Sequence, residues 1–428
     1  MTNLAQLNAQ DLKVFHQQVR ERYEAFKKRG LKLDLTRGKP ASKQLDLSNA
    51  LLTLPGAQDF TAADKTDTRN YGGLQGLAEL RALLAPVFDL PPENLIIGDN
   101  SSLALMHDTF VYALLKGTCD STQPWSKEKR IAFLCPVPGY DRHFAICEEF
   151  GIEMIAVPMN DEGPDMNVVE KLVAQDAAIK GMWCIPKYNN PTGTVYSTKV
   201  VERLAAMKTA TPDFRLFWDN AYAVHHLTTE HIEIANIVEA CARHGHANRA
   251  FVYGSTSKVT LPGAGVALFG GSKDNVAWYL KRMSKRTISG DKINQLRHVR
   301  YLRDQGGLMA LMDQHRAVIA PKFAKVIEVF TQHLGNTGVA SWTDPKGGYF
   351  ISLDVLDGCA KEVVRLAKEA GVELTPAGST YPYMKDPQDR NLRIAPTFPV
   401  LADVGPAAEG VALAVLVATT ESLLKQRR

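Results

Sequence analysis

Four apolar runs in this chain end on residues that can do chemistry. The run 181–185 leads to Asn189-Asn190-Pro191-Thr192-Gly193, and 216–218 runs straight into Asp219-Asn220-Ala221-Tyr222. The run 251–253 is followed by Ser255-Thr256-Ser257-Lys258, and 95–97 by Gly98-Asp99-Asn100-Ser101-Ser102. In open α/β sheets, ligands bind beyond the carboxyl ends of the strands. A lysine, an aspartate, an amide and a hydroxyl-rich helix start are therefore predicted to meet on one rim. A lysine amine can form a Schiff base with an aldehyde, and a carboxylate can keep a pyridine nitrogen protonated. Helix amides and hydroxyls can hold a phosphate dianion. Together these groups suit catalysis with pyridoxal 5′-phosphate (PLP).

The elements that must place these residues alternate along the chain. Apolar runs, which also include 131–135, 154–157 and 266–269, are separated by helical patterns at 102–115, 141–150, 167–174, 199–208 and 232–244. Continuous apolar strands between helices predict an α/β fold whose mostly parallel sheet is covered on both faces. Before it come a charged amphipathic helix over 8–29, ended by Gly30, and the loop Arg37-Gly38-Lys39-Pro40. A helix at 77–87 follows the Gly72-Gly73 turn. After Gly306 the rhythm changes to a long helix over 308–333, a strand at 349–354 and two further helices. The reading is an N-terminal arm and part of a small domain in 1–57, a large PLP-binding domain in 58–305, and a small C-terminal α/β domain in 306–428.

Composition narrows the class. Fifty Lys and Arg against 46 Asp and Glu leave a net charge of +4 with no basic block, so charge makes no case for nucleic acid or an anionic membrane as partner. The longest apolar tract, 410–420, falls short of the ~18 residues that suggest a membrane span and reads as a buried helix. Residues 1–10 show no secretory pattern, and the six cysteines form no Cys-x-x-Cys pair. Buried reduced thiols in a cytoplasmic protein are expected. A metal site on His225, His226, His231, His244 and His246 lacks a ligand motif; these histidines read as solvated surface beside Arg243 and Arg249. Gly263-Ala264-Gly265 is not followed by the spacing of a dinucleotide site.

Asn190-Pro191-Thr192-Gly193, Asp219-x-Ala221-Tyr222 and Ser255-x-Ser257-Lys258, in that order, carry a resemblance. The chain resembles the fold-type-I, PLP-dependent class I aminotransferases, and most of all a divergent bacterial aspartate aminotransferase subgroup. The matching motifs run over 38–393. The resemblance implies that Lys258 carries the cofactor and shuttles the proton between substrate Cα and cofactor C4′. Asp219 would pair with the pyridinium nitrogen, and Asn190 and Tyr222 would bond the phenolic O3′. Tyr140, in Pro138-Gly139-Tyr140, would stack on the ring, in rivalry with a packing role. Asn100, Ser101, Ser102, Ser255 and Ser257 would hold the phosphate. Arg393 would grip the substrate α-carboxylate through its bidentate fork, a task lysine does poorly. Gly38 would let the backbone approach the substrate. Tyr71 would reach the phosphate of a neighbouring subunit, which implies a homodimer acting on small amino and 2-oxo acids.

One position departs from that pattern. The family places a phosphate-binding arginine eight residues after the lysine; here position 266 is valine. Either the hydroxyls and the helix dipole suffice, or a cation from 285–292 replaces it, or the phosphate is held less tightly. A side-chain carboxylate on the substrate needs its own cation, and Arg37, Lys39, Arg142 and Arg286 are the candidates, with Arg37 and Arg142 favoured as neighbours of matched motifs. The expected reaction is amino transfer between L-aspartate and 2-oxoglutarate. Transfer from another amino acid, or β-elimination by a PLP lyase on the same fold, is the alternative.

Overall fold

Eight strands form the central sheet: β1 (Leu95–Ile97), β2 (Ala132–Val137), β3 (Glu153–Asn160), β4 (Gly163–Pro164), β5 (Ile179–Cys184), β6 (Arg215–Asp219), β7 (Ala250–Ser255) and β8 (Ala267–Gly271). Their order is β1-β8-β7-β6-β5-β2-β3-β4. Strands β7, β6, β5, β2 and β3 run parallel, whereas β8 is antiparallel to both of its neighbours. The computed structural model describes residues 3–427, so the first two residues of the 1–10 stretch lie outside it.

Side chains alternate across a strand, and here both faces are apolar. Leu216 and Trp218 of β6 join one core with Leu134, Met182, Val252 and Leu268. Phe217, between them, joins an aromatic core on the other face with Phe110, Phe133, Trp183 and Phe251. Every residue of β2, β5, β6 and β8 is buried, which is why the sequence shows continuous apolar runs. Two helices that matter for the site start at strand ends: α1 (Ser102–Lys116) after β1 and α2 (Asp141–Glu149) after β2.

A second core combines both chain ends. Leu4, Leu12, Val19, Tyr23 and Phe26 pack with Ile351, Leu353, Val363 and Leu392 and with Val411, Leu413 and Leu416 from the C-terminal end. The long helix α3 (Gln305–Leu334) joins the two bodies: Leu308, Leu311 and Met312 belong to the sheet's core, and Phe323, Val326 and Phe330 to the second. Helix α4 (Leu401–Gln426) contains the apolar tract, buried from Val411 to Thr420 within this core. Strands β9 (Ala340–Trp342), β10 (Ile351–Val355) and β11 (Asn391–Ile394) make an antiparallel sheet in the order β9-β10-β11. Leu33–Asp34 pairs in parallel with Val372–Glu373, which delivers the Arg37–Gly38 loop to the boundary between the bodies.

Three expectations need correction. The helix expected over 232–244 begins only at Ile237, because the Asn236 side chain accepts from the Val238 and Glu239 amides and caps it there. Cys119 is exposed, while the other five thiols are buried. His225, His226 and Arg249 are buried rather than solvated; Arg249 is drawn in because its guanidinium donates to the Leu204 and Ala205 carbonyls at a helix end.

Candidate active site

The carboxyl ends of β5, β6 and β7, the start of α1 and the Arg37–Gly38 loop surround a cavity of about 600 Å³. Its walls include Gly38, Ser101, Ser102, Tyr140, Asn190, Asp219, Tyr222, Ser255, Ser257, Lys258 and Arg393. The motifs spread over 38–393 thus converge on one space. Asn100 lies just outside it, its carbonyl accepting from Ser257 Oγ at 3.3 Å. Tyr71 is not in the cavity: it is 78% exposed, on a loop whose Asn70 and Gly72 carbonyls both accept from Lys292 Nζ at 2.7 Å.

Asp219 ends β6, buried, with one carboxylate oxygen 3.0 Å from His143 Nε2 and the other, Oδ1, without a partner. A buried acceptor left open is costly unless a ligand donates to it. His143 stacks on Trp183 with ring centroids 4.1 Å apart and planes 7° from parallel, so it holds Asp219 in one orientation. Sequence reasoning missed His143; the available signal was its position one turn after Tyr140 on a helix that starts at a strand end. Asn190 Oδ1 is a second buried acceptor with no partner. Lys258 Nζ sits 4.9 Å from the Tyr222 ring centroid and 5.9 Å from that of Tyr349. Burial lowers its pKa, opposed by the negative charge of Asp219, and so favours the neutral, nucleophilic amine. Burial also pushes the Tyr222 phenol far up, with Tyr140 and Asp219 adding to the effect.

At another wall, Ser101 caps α1 without a side-chain bond to the first turn, which leaves its amides to a ligand. Ser255 Oγ donates to Ser257 Oγ at 3.1 Å beside it. No residue of 285–292 lines this cavity. Arg286 is held by Asp99 at 2.6 Å and Asp108 at 3.1 Å, and Lys292 by the Tyr71 loop. Val266 is buried, its backbone paired with Thr256. The hydroxyl and helix-amide explanation for its missing arginine is the one this arrangement favours.

Arg393, on β11, donates to Asp141 at 2.9 Å and lies over the Phe350 ring at 4.9 Å. Gly38 is needed against that same ring: a Cβ built there would penetrate Phe350. Of the four cations considered for a substrate side chain, Arg37 and Arg142 line the cavity and are exposed to it. Lys39 instead lies over Phe398 at 3.8 Å. The open Asp219 acceptor, the hydroxyl cradle and the lysine fit PLP, with Asp219 Oδ1 suited to a protonated ring nitrogen and the amide N–H of Asn190 suited to donate to a phenolic oxygen.

Comparison with known proteins agrees. The profile of the aspartate amino-transferase family matches residues 7–427. A Mycolicibacterium smegmatis protein, named an aminotransferase by inference with no substrate given, is 56% identical over 420 residues, 98% of each chain. An aspartate aminotransferase of Corynebacterium glutamicum is 50% identical over 419 residues, 98% of this chain and 97% of its own. A crystal structure of an aspartate transaminase from the same organism superposes with a TM-score of 0.97 over 99% of both chains, at 50% identity. An α-aminoadipate aminotransferase of Thermus thermophilus, complexed with a phosphopyridoxyl-leucine, shares the fold at 20% identity and a TM-score of 0.73 over 94% of this chain and 95% of its own. The chain therefore belongs to the aspartate amino-transferase family and is a fold-type-I, PLP-dependent class I aminotransferase.

Proposed function

We propose that this enzyme moves the amino group between L-aspartate and 2-oxoglutarate, yielding oxaloacetate and L-glutamate. The observation that carries the reading is the presence of two arginines, Arg37 and Arg142, in the cavity besides Arg393. One guanidinium suffices for an α-carboxylate; a second carboxylate calls for another. The 50% identical Corynebacterium relative named aspartate aminotransferase supports the same substrate.

When bound, PLP supplies the electron sink that stabilises negative charge at substrate Cα. The chain supplies the rest. Asp219, oriented by His143, keeps the ring nitrogen protonated. Asn190 and Tyr222 bond the phenolic oxygen, Tyr140 packs against the ring, and Ser101, Ser102, Ser255 and Ser257 hold the phosphate with help from Asn100. Lys258 would hold the cofactor through its amine and, when that amine is free, would serve as the base that takes the proton from substrate Cα and gives it back on the product side. Arg393 leaves Asp141 to grip the α-carboxylate, while Phe350 and Gly38 wall off water. Arg142 and Arg37 take the side-chain carboxylate. Tyr71, exposed on its anchored loop, serves the phosphate of a second copy, so the working form is a homodimer, and we place it in the cytoplasm.

Incubation with L-aspartate and 2-oxoglutarate tests the reading. Oxaloacetate and glutamate formed in step support it; absence of transfer, with pyruvate and ammonia released from a cysteine conjugate, replaces it with a lyase.

A further inference from the structure

Behind Lys258 lies a buried polar cluster that none of these roles uses. Gln44, His225, His315 and Tyr349 are each at most 2% exposed. They come from separate parts of the chain: Gln44 from the N-terminal segment, His225 from the loop after β6, His315 from α3, and Tyr349 from just before β10. Their bonds form one consistent set. Gln44 Oε1 accepts from the Ala41 amide at 3.0 Å, and Gln44 Nε2 donates to His315 Nδ1 at 3.0 Å and to the Tyr349 hydroxyl at 3.1 Å. With Nδ1 of His315 accepting, its Nε2–H donates to the Val259 carbonyl at 2.9 Å. The Tyr349 hydroxyl reaches the Lys258 carbonyl at 3.5 Å, and His225 Nε2 reaches the same oxygen at 3.3 Å. Burial holds both imidazoles neutral, His225 further lowered by the Lys258 charge.

The two carbonyls follow β7 in a turn where no backbone amide among the described residues reaches them. Buried carbonyls need partners, and here they come from the long helix (His315), the segment before β10 (Tyr349) and the loop after β6 (His225), with Gln44 of the N-terminal segment bracing His315 and Tyr349. The Tyr349 ring also faces the Lys258 amine. We infer that Gln44, His225, His315 and Tyr349 are positioning residues for Lys258, tying the seat of the reacting amine to the docking of the N-terminal segment and small body on the sheet. The inference rests on Lys258 being the residue that carries the cofactor.

The test uses the holoenzyme and its Gln44→Leu, His315→Leu and Tyr349→Phe variants, with His315→Gln as the conservative rescue. The variants should keep the visible cofactor band yet shift the pH midpoint of that band. Their kcat should fall by about 10- to 100-fold, the scale of a misplaced reacting group. KM for the amino donor should hold. His315→Gln, whose amide still donates to Val259, should recover most of the loss. Wild-type kcat and band midpoint in Gln44→Leu and Tyr349→Phe would overturn the inference. So would a fall in kcat with an unmoved midpoint and no rescue, which marks the cluster as scaffold only. Should the leucine variants not fold, Tyr349→Phe, which removes a single oxygen, decides alone. Borohydride labelling of the parent at Lys258 is the control: no label there refutes the underlying reading, whereas a label with undisturbed variants refutes only this inference.

Discussion

If the proposed function holds, removing the charge of Arg142 or Arg37 should cost activity on an acidic amino donor and little else. Both guanidiniums line the cavity, and neither joins an ion pair among the described residues. By contrast, Arg393 is paired with Asp141 and Arg286 with Asp99 and Asp108. A hydrogen bond to a charged partner contributes about 1.5–3 kcal/mol, which converts to a loss of about 10- to 150-fold in kcat/KM. Methionine keeps most of the stem and removes the fork, so Arg142→Met and Arg37→Met are the informative changes. The assay is kcat/KM for L-aspartate and for an amino acid with an uncharged side chain, each with 2-oxoglutarate kept saturating. The aspartate value should fall by the stated factor in at least one variant, while the uncharged donor is unaffected. If both arginines hold the same carboxylate, the double variant should lose less than the product of the two single losses. An equal fall for both donors, or no fall in either variant, would refute the reasoning.

Arg393→Lys should raise KM for the amino donor while leaving PLP affinity, measured by equilibrium titration, unchanged, because only the planar fork is lost. Gly38→Ala should also raise KM, since the added methyl displaces Phe350 from beneath Arg393; unaltered kinetics would count against the close approach. His298, buried beside Thr256 and Thr260, has its pKa lowered to about 4, mainly by desolvation. A folded value below the unfolded value of about 6.5 means the unfolded chain binds more protons, so this contribution is full above pH 6.5 and is lost as pH falls through 4. Between pH 7.5 and 5 it amounts to about 2 kcal/mol. A His298→Gln variant should show that much less loss of denaturant stability over the same range.

The residues at the strand ends were legible because a parallel α/β sheet places everything just past its carboxyl edge in one region. Asp219, Asn190 and Lys258 needed only that rule and the chemistry of their types. The supporting groups were not legible. His143, His225 and His315 sit on helices or loops where a histidine has no distinguishing neighbour, and only the folded chain brings Gln44 against Tyr349 from 305 residues away. The burial of His225 has no mark in the sequence because two adjacent histidines point to different faces and the run 221–227 shows neither strand nor helix periodicity. The alternation of strands and helices was plain from apolar runs, whereas the late start at Ile237 depended on one asparagine cap. The partner of Arg393 was hidden for the same reason as the clamp behind Lys258: Asp141 is 252 residues away in the chain.

The central claim is that Lys258 holds the cofactor. Borohydride reduction of the native holoenzyme, followed by proteolysis and mass mapping, should find the phosphopyridoxyl group on the peptide containing Lys258 and on no other. A label on a different lysine, or none, would contradict the account.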